Sequence, residues 1–150
     1  MQIRPARMSD VPALADLINY HAERGRMLHR SKAYLYERVR NFWVCQIEQA
    51  VVGCCALEPI WGDLGELKSL AVREDLQGQG VGKALIKKAL ASGKDIGIKR
   101  VFCLSREPGF FEKLGFSQIE RKKLPHKVWS ECVSCPSKDK CDEIALILEL

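Results

Sequence analysis

Two stretches of this chain combine residue types and spacings that could do chemistry. The first is Gln77-Gly78-Gln79-Gly80-Val81-Gly82, set between a β-rich run and a helix-periodic run. In such a place successive backbone N–H groups and a helix N-terminus can be aimed at one phosphate, and residues without Cβ let it approach the backbone. A plain structural turn accounts for the glycines equally well. A Rossmann turn does not fit, because its glycines follow the first strand of a parallel βαβ unit, whereas these follow the fourth strand after a hairpin. A P-loop does not fit either, since no Gly-Lys-Ser/Thr closes the stretch.

The second stretch is Cys132-x-x-Cys135-x5-Cys141, with His126 or Asp142 at hand as a fourth ligand. Paired thiolates at this spacing can bind zinc. A single Cys-x-x-Cys is also what a reduced structural loop or a redox disulfide would show, so all three readings stay open.

Apolar periodicity outlines the elements that must position these residues. Residues 2–7 form a short strand, and Ser9-Asp10-Val11-Pro12 caps a helix over about residues 10–24 that carries Leu14, Leu17 and Ile18. Gly25 ends it, and Ser31 caps a second helix with Leu35 and Val39 on one face. Residues 42–47 and 51–57 are β-rich and flank the polar turn Glu48-Gln49, which predicts an antiparallel hairpin. A strand over 64–72 then leads through the glycine loop into a helix marked by Val81, Leu85, Ile86, Ala89 and Leu90. Strands over 100–105, 116–121 and 143–150, with a short helix over 109–114, complete the order β-α-α-β-β-β-α-β-α-β-β in one α/β domain.

Composition narrows the function classes. At 47% hydrophobic and 29% charged residues, the chain is neither disordered nor fibrous, and 150 residues suffice for one ordinary core. The net charge of +5 is spread in short clusters such as Arg121-Lys122-Lys123. That pattern suits a solvated face or a phosphate-bearing cofactor, whereas a polynucleotide calls for a denser basic stripe, so no nucleic-acid partner is expected. The start MQIRPARMSD has no apolar signal region, and no run reaches the ~18 apolar residues needed to span a bilayer. Seven cysteines, most of them in apolar runs (Cys45, Cys54, Cys55, Cys103), fit a reducing cytoplasm.

With these residues in view, the segment from Val72 to Gly82 resembles the Q/R-x-x-G-x-G/A signature of the GNAT superfamily of N-acetyltransferases, matched here by Gln77, Gly80 and Gly82. Phe110-Phe111-Glu112-Lys113-Leu114-Gly115-Phe116 is similar to the helix-to-strand segment that flanks pantetheine in that family. Within it, the chain most resembles the acetyltransferase domain of short, stand-alone N-acetylglutamate synthases, through residues 27–31, 65–72, 102–105 and 110–111. The resemblance implies a mixed, mostly antiparallel sheet of about seven strands flanked by about four helices, with acetyl-coenzyme A as cosubstrate. The acceptor it implies is the α-amino group of a small amino acid such as glutamate, and a homodimer is common in the family. A protein or small-amine acetyltransferase, and a zinc-stabilised acetyl-coenzyme A-binding module, are the alternatives.

Site residues follow residue by residue. Gln77, Gly78, Gln79, Gly80, Val81 and Gly82 are expected at the pyrophosphate, with Leu70, Val72 and Phe111 along the pantetheine. An α-amino group has a pKa of about 7.7–8.0, so a base must accept its proton, and Glu66 stands on the strand where the family places one. By resemblance the amide of Leu70 stabilises the thioester oxygen as charge develops on it. Many relatives carry a tyrosine acid where Phe111 stands here, and Ser105 resembles the serine proposed for that role in glutamate-acetylating relatives. Arg30 occupies the carboxylate-binding arginine position of Leu28-His29-Arg30-Ser31, a task suited to a planar guanidinium, with Ser69 and Lys127 as further acceptor-binding candidates.

Overall fold

The computed structural model describes residues 1–124 and 142–150. Its centre is a seven-stranded sheet in the order β1-β2-β3-β4-β5-β7-β6. The strands are β1 (Gln2–Pro5), β2 (Phe42–Ile47), β3 (Ala50–Trp61), β4 (Leu64–Val72), β5 (Arg100–Ser105), β6 (Ser117–Gln118) and β7 (Ile144–Glu149). The helices are α1 (Val11–Ala22), α2 (Lys32–Glu37), α3 (Val81–Asp95) and α4 (Pro108–Glu112). β4 and β5 are parallel and the other described pairs are antiparallel, so the mixed sheet expected from the sequence is present.

Each face of the sheet is closed by its own helices. α3 places Val81, Leu85, Ile86 and Ala89 against Val52, Cys55, Leu57, Leu67 and Val101. Its contact with β3 is so close that a Cβ built on Gly93 would lie 2.5 Å from Leu57 Cδ2. α1 and α2 cover the opposite face, where Val11, Leu14, Ile18 and Leu35 meet Phe42, Val44, Cys54, Ala56 and Ala71. Burying a side chain of this size stabilises by about 1.5–3 kcal/mol, so α1 is held chiefly by its apolar stripe.

Several boundaries differ from expectation, each for a local reason. The Asp10 carboxylate does not cap α1. It accepts from Arg4 Nη1 at 2.8 Å, Arg4 Nη2 at 2.9 Å and the Arg7 N–H at 2.7 Å, closing a one-turn 3₁₀ helix over Met8–Asp10. β3 runs on through Pro59 to Trp61, because β4 continues to pair with it. The strand expected over 116–121 shrinks to Ser117–Gln118, and Arg121–Lys123 turn as a 3₁₀ helix instead. Ser31 does cap α2, its hydroxyl accepting from the Tyr34 N–H at 3.1 Å. No described helix is long and apolar enough to cross a membrane.

Candidate active site

The site begins where two strands part. β4 and β5 pair at Leu64 with Arg100, Gly65 with Val101 and Glu66 with Phe102. Past Glu66, β4 follows β3 to Val72, while β5 follows β7 to Ser105. A cleft opens between them, and Glu66 stands at its apex.

A bulge turns the outer half of β4 toward that cleft. Cys54 lies opposite Ala71 and Ala56 opposite Lys68, so Cys55 faces both Ser69 and Leu70. Ser69 takes the left-handed value φ = +54° that this insertion requires. The extra residue lets Leu67 and Leu70 both pack toward α3. Further along, the Arg73 N–H donates to the Val52 carbonyl at 2.8 Å, which makes Val72 and Gly53 a pair that exchanges no hydrogen bonds. The N–H and carbonyl of Val72 therefore point away from β3 and into the cleft, as does the N–H of Leu70 two residues earlier.

The mouth of the cleft is the glycine loop. Gly80 caps α3 at φ = +86° and Gly78 has φ = +77°, values that suit glycine. A Cβ on either would meet no protein atom within 4 Å, so the space above the helix N-terminus is open to a ligand. Val81 is buried, and Gln77 and Gln79 spend their amides on the Val72 and Asp75 carbonyls, at 3.2 and 3.3 Å. These three residues serve the loop through their main chains. A Cβ on Gly82 would stand 3.6 Å from Phe110 Cζ and 3.9 Å from both Leu70 Cδ1 and Val72 Cγ2, which brings α3, α4 and β4 around one opening. Phe111 is 8% exposed and packs edge-on against Phe116, whereas Phe110 is 36% exposed. Phe110 is the aromatic that faces the opening, whereas the sequence placed Phe111 of the same segment along the pantetheine.

On the other face of the sheet the site is charged. Glu58 and Glu66 are cross-strand partners, and like charges so placed repel. Lys68 offsets this, with Nζ 3.3 Å from Glu58 Oε2 and 3.8 Å from Glu66 Oε1. Side-chain exposure is only 12% at Glu66 and 10% at Lys68, so Glu66 is no ordinary solvent-facing strand residue. Glu58 and Lys68 were not singled out from the sequence. The i, i+2 spacing of Glu66 and Lys68 puts both on one face and could have flagged the lysine, but Glu58 joins them only through the register of β3 on β4.

The segment carrying Arg30 is fixed by α1. Asn19 donates to the Arg30 carbonyl and accepts from the Arg30 N–H, both at 2.9 Å, and the guanidinium lies 4.4 Å from the Tyr34 ring centroid. Both helices flanking this segment pack on the sheet face that carries Ala56, the cross-strand partner of Lys68. On the far wall, Ser105 Oγ accepts from the Glu107 N–H at 2.9 Å, leaving the hydroxyl proton free to be donated elsewhere. Cys103 is no nucleophile, because burial, with Glu66 and Glu143 adding to it, pushes its thiol up to about 12. Lys127, His126, Cys132, Cys135 and Cys141 lie outside the described residues. Among the described residues, no group of three or more His, Cys, Asp or Glu could hold a metal ion.

Comparison with known proteins places this geometry. Residues 38–118 match the acetyltransferase (GNAT) domain model. The chain is 37% identical over 148 residues to an uncharacterised N-acetyltransferase of Chlorobaculum tepidum, covering 99% of this chain and 96% of the relative. It is 38% identical over 140 residues to an amino-acid acetyltransferase of Mycobacterium tuberculosis, covering 91% of this chain and 79% of the relative. Among solved structures, Rv2747 of M. tuberculosis in complex with CoA and NLQ superposes with a TM-score of 0.85 at 33% identity, covering 100% of this chain and 99% of that one. N-acetylglutamate synthase of Neisseria gonorrhoeae, complexed with coenzyme A and N-acetyl-glutamate, superposes with a TM-score of 0.91 at 30% identity, covering 99% of this chain and 35% of that one. A parted pair of strands, a bulged fourth strand and a glycine loop at a helix N-terminus thus stand in a chain that belongs to the GNAT acetyltransferase family, close to its amino-acid acetyltransferases.

Proposed function

We propose that the protein transfers the acetyl group of acetyl-coenzyme A to the α-amino group of a small amino acid, L-glutamate first among them, as a cytoplasmic step toward arginine. The observation that carries this reading is the cleft itself, with Glu66 at its apex, the N–H groups of Leu70 and Val72 on its edge and Gly80 at its mouth. Similarity to N-acetylglutamate synthase and the position of Arg30 favour glutamate.

The residues divide the work. The N–H groups at the start of α3 hold the pyrophosphate, aided by the positive end of the helix dipole. The Val72 N–H holds the pantetheine arm. Glu66 accepts a proton from the acceptor ammonium, directly or through one water, so that the nitrogen lone pair can form the new C–N bond. The Leu70 N–H stabilises the negative charge that develops on the thioester oxygen. As the C–S bond breaks, the nitrogen gives its second proton to solvent, while the sulfur keeps the electron pair and takes a proton from solvent, directly or through Ser105, which is then reprotonated by water. Arg30 grips an acceptor carboxylate, with Ser69 and Lys127 as further contacts.

A thiol-release assay with acetyl-coenzyme A and each of the twenty amino acids tests the reading. Turnover that favours glutamate supports it. Turnover only with peptides or polyamines would leave the acetyl transfer standing and remove the amino-acid acceptor.

A further inference from the structure

The strand end that faces the proposed coenzyme is tied to α1 by a buried histidine to which the mechanism gives no part. His21 is 4% exposed. Its Nδ1 lies 2.9 Å from Arg26 Nη1, and its Nε2 lies 2.9 Å from the Val72 carbonyl oxygen. A guanidinium only donates, so Nδ1 must accept, and the ring proton is therefore on Nε2 and donates to Val72. Arg26 is itself oriented by Glu74, whose Oε1 accepts from the same Nη1 at 2.6 Å. The ring is also held edge-on against Tyr20, at 5.3 Å between centroids, and Arg24 stacks over the far ring at 3.5 Å. Glu74 begins the 3₁₀ turn Glu74–Leu76 that links β4 to the glycine loop.

The Val72 carbonyl has two lone pairs, and both are spoken for: one by His21, the other by the Gln77 amide at 3.2 Å. That leaves the N–H as the group Val72 can offer across the cleft.

We propose that His21 is a positioning residue for the coenzyme. Its Nε2–H fixes the Val72 peptide so that β4 presents a single N–H donor to the pantetheine arm at that residue, and Arg26 with Glu74 fixes the tautomer that does this. The inference rests on the reading that this cleft holds acetyl-coenzyme A. A positioning role on the coenzyme side should raise the KM for acetyl-coenzyme A and leave the chemical step alone.

Steady-state kinetics with His21→Leu, His21→Gln and Arg26→Met test this, alongside the melting temperature of each protein with and without coenzyme A. His21→Leu should raise the KM for acetyl-coenzyme A on the order of tenfold, the worth of one net hydrogen bond, with kcat changed less than about twofold. His21→Gln, which has both a donor and an acceptor, should recover most of that loss. Arg26→Met should show a smaller rise in the same constant. An unchanged KM in His21→Leu would overturn the inference, as would kcat and KM failing together in His21→Leu and His21→Gln alike. Should His21→Leu not fold, the Gln and Arg26 variants decide by the same criterion. If coenzyme A does not stabilise the wild type, the underlying reading of the cleft falls instead.

Discussion

The two sides of the proposed active site are built from different materials. The coenzyme side is almost entirely backbone: glycine loop, first turn of α3, outer half of β4, with Phe110 as one aromatic wall. The acceptor side is made of charged side chains, with Glu58, Lys68 and Glu66 on adjacent strands and Arg30 on the segment after α1. Backbone donors are fixed by the fold and suit a cosubstrate that never varies. Side chains can be exchanged without refolding the chain, so the acceptor side is where substrate choice can change. The two sides should therefore fail separately when mutated.

The largest expected effect is on the coenzyme side. Gly80→Val adds a branched Cβ where φ is +86° and where the open space above α3 lies, so it should abolish stabilisation by acetyl-coenzyme A. A thermal shift assay reads this directly, and circular dichroism checks that the variant is folded. A folded Gly80→Val protein with a normal shift would remove the loop from the site.

Next is the acceptor side. Arg30→Ala should raise the KM for glutamate on the order of 30-fold, corresponding to about 2 kcal/mol, while the KM for acetyl-coenzyme A stays within about twofold. Lysine at this position should restore only part, because it lacks the bidentate fork. A parallel rise in both constants would mean that the two sides are not separable.

A smaller effect is expected from the two buried cysteines, one on each sheet face. Cys54 packs toward α1 and Cys55 toward α3, and burial pushes the Cys54 thiol up to about 12 and that of Cys55 up as well, from an ordinary value of 9.0. The sign follows from linkage. Below pH 9 the thiols are protonated in both states, while above it the unfolded chain loses protons that the folded chain keeps, so folding stability falls from about pH 9 toward pH 12. Denaturant titrations across this range should show that fall, and iodoacetamide at pH 8 should leave both cysteines unmodified in the folded protein. Rapid alkylation of Cys55 alone would show that the coenzyme face opens more readily than the other.

What could be read in advance divides along the same line. The order of elements, the strand 64–72 and the glycine loop were legible, because apolar periodicity and glycine spacing are local signals. The bulge at Ser69 was not, since nothing in Lys68-Ser69-Leu70 marks an αL residue, and the requirement for it comes from the register against Cys55. Phe110 and Phe111 could not be told apart, because a helix as short as Pro108–Glu112 has no periodicity to say which ring faces inward. Glu58 and His21 were invisible for a related reason. Each gains its role from a partner far away in sequence: Glu58 meets Lys68 across the hairpin, and His21 meets Val72.

If the parted strands put a base beside an activated acetyl group, the need for Glu66 must depend on the protonation of the acceptor amine. Thiol release with glutamate as acceptor is followed from pH 6 to pH 10 for the wild type and for Glu66→Gln. Glu66→Gln should lose kcat on the order of 100-fold at pH 7, with affinity for acetyl-coenzyme A retained, and the loss should shrink as the acceptor amine becomes neutral at high pH. An unchanged kcat at pH 7, or a loss that is the same at every pH, would contradict that role for Glu66.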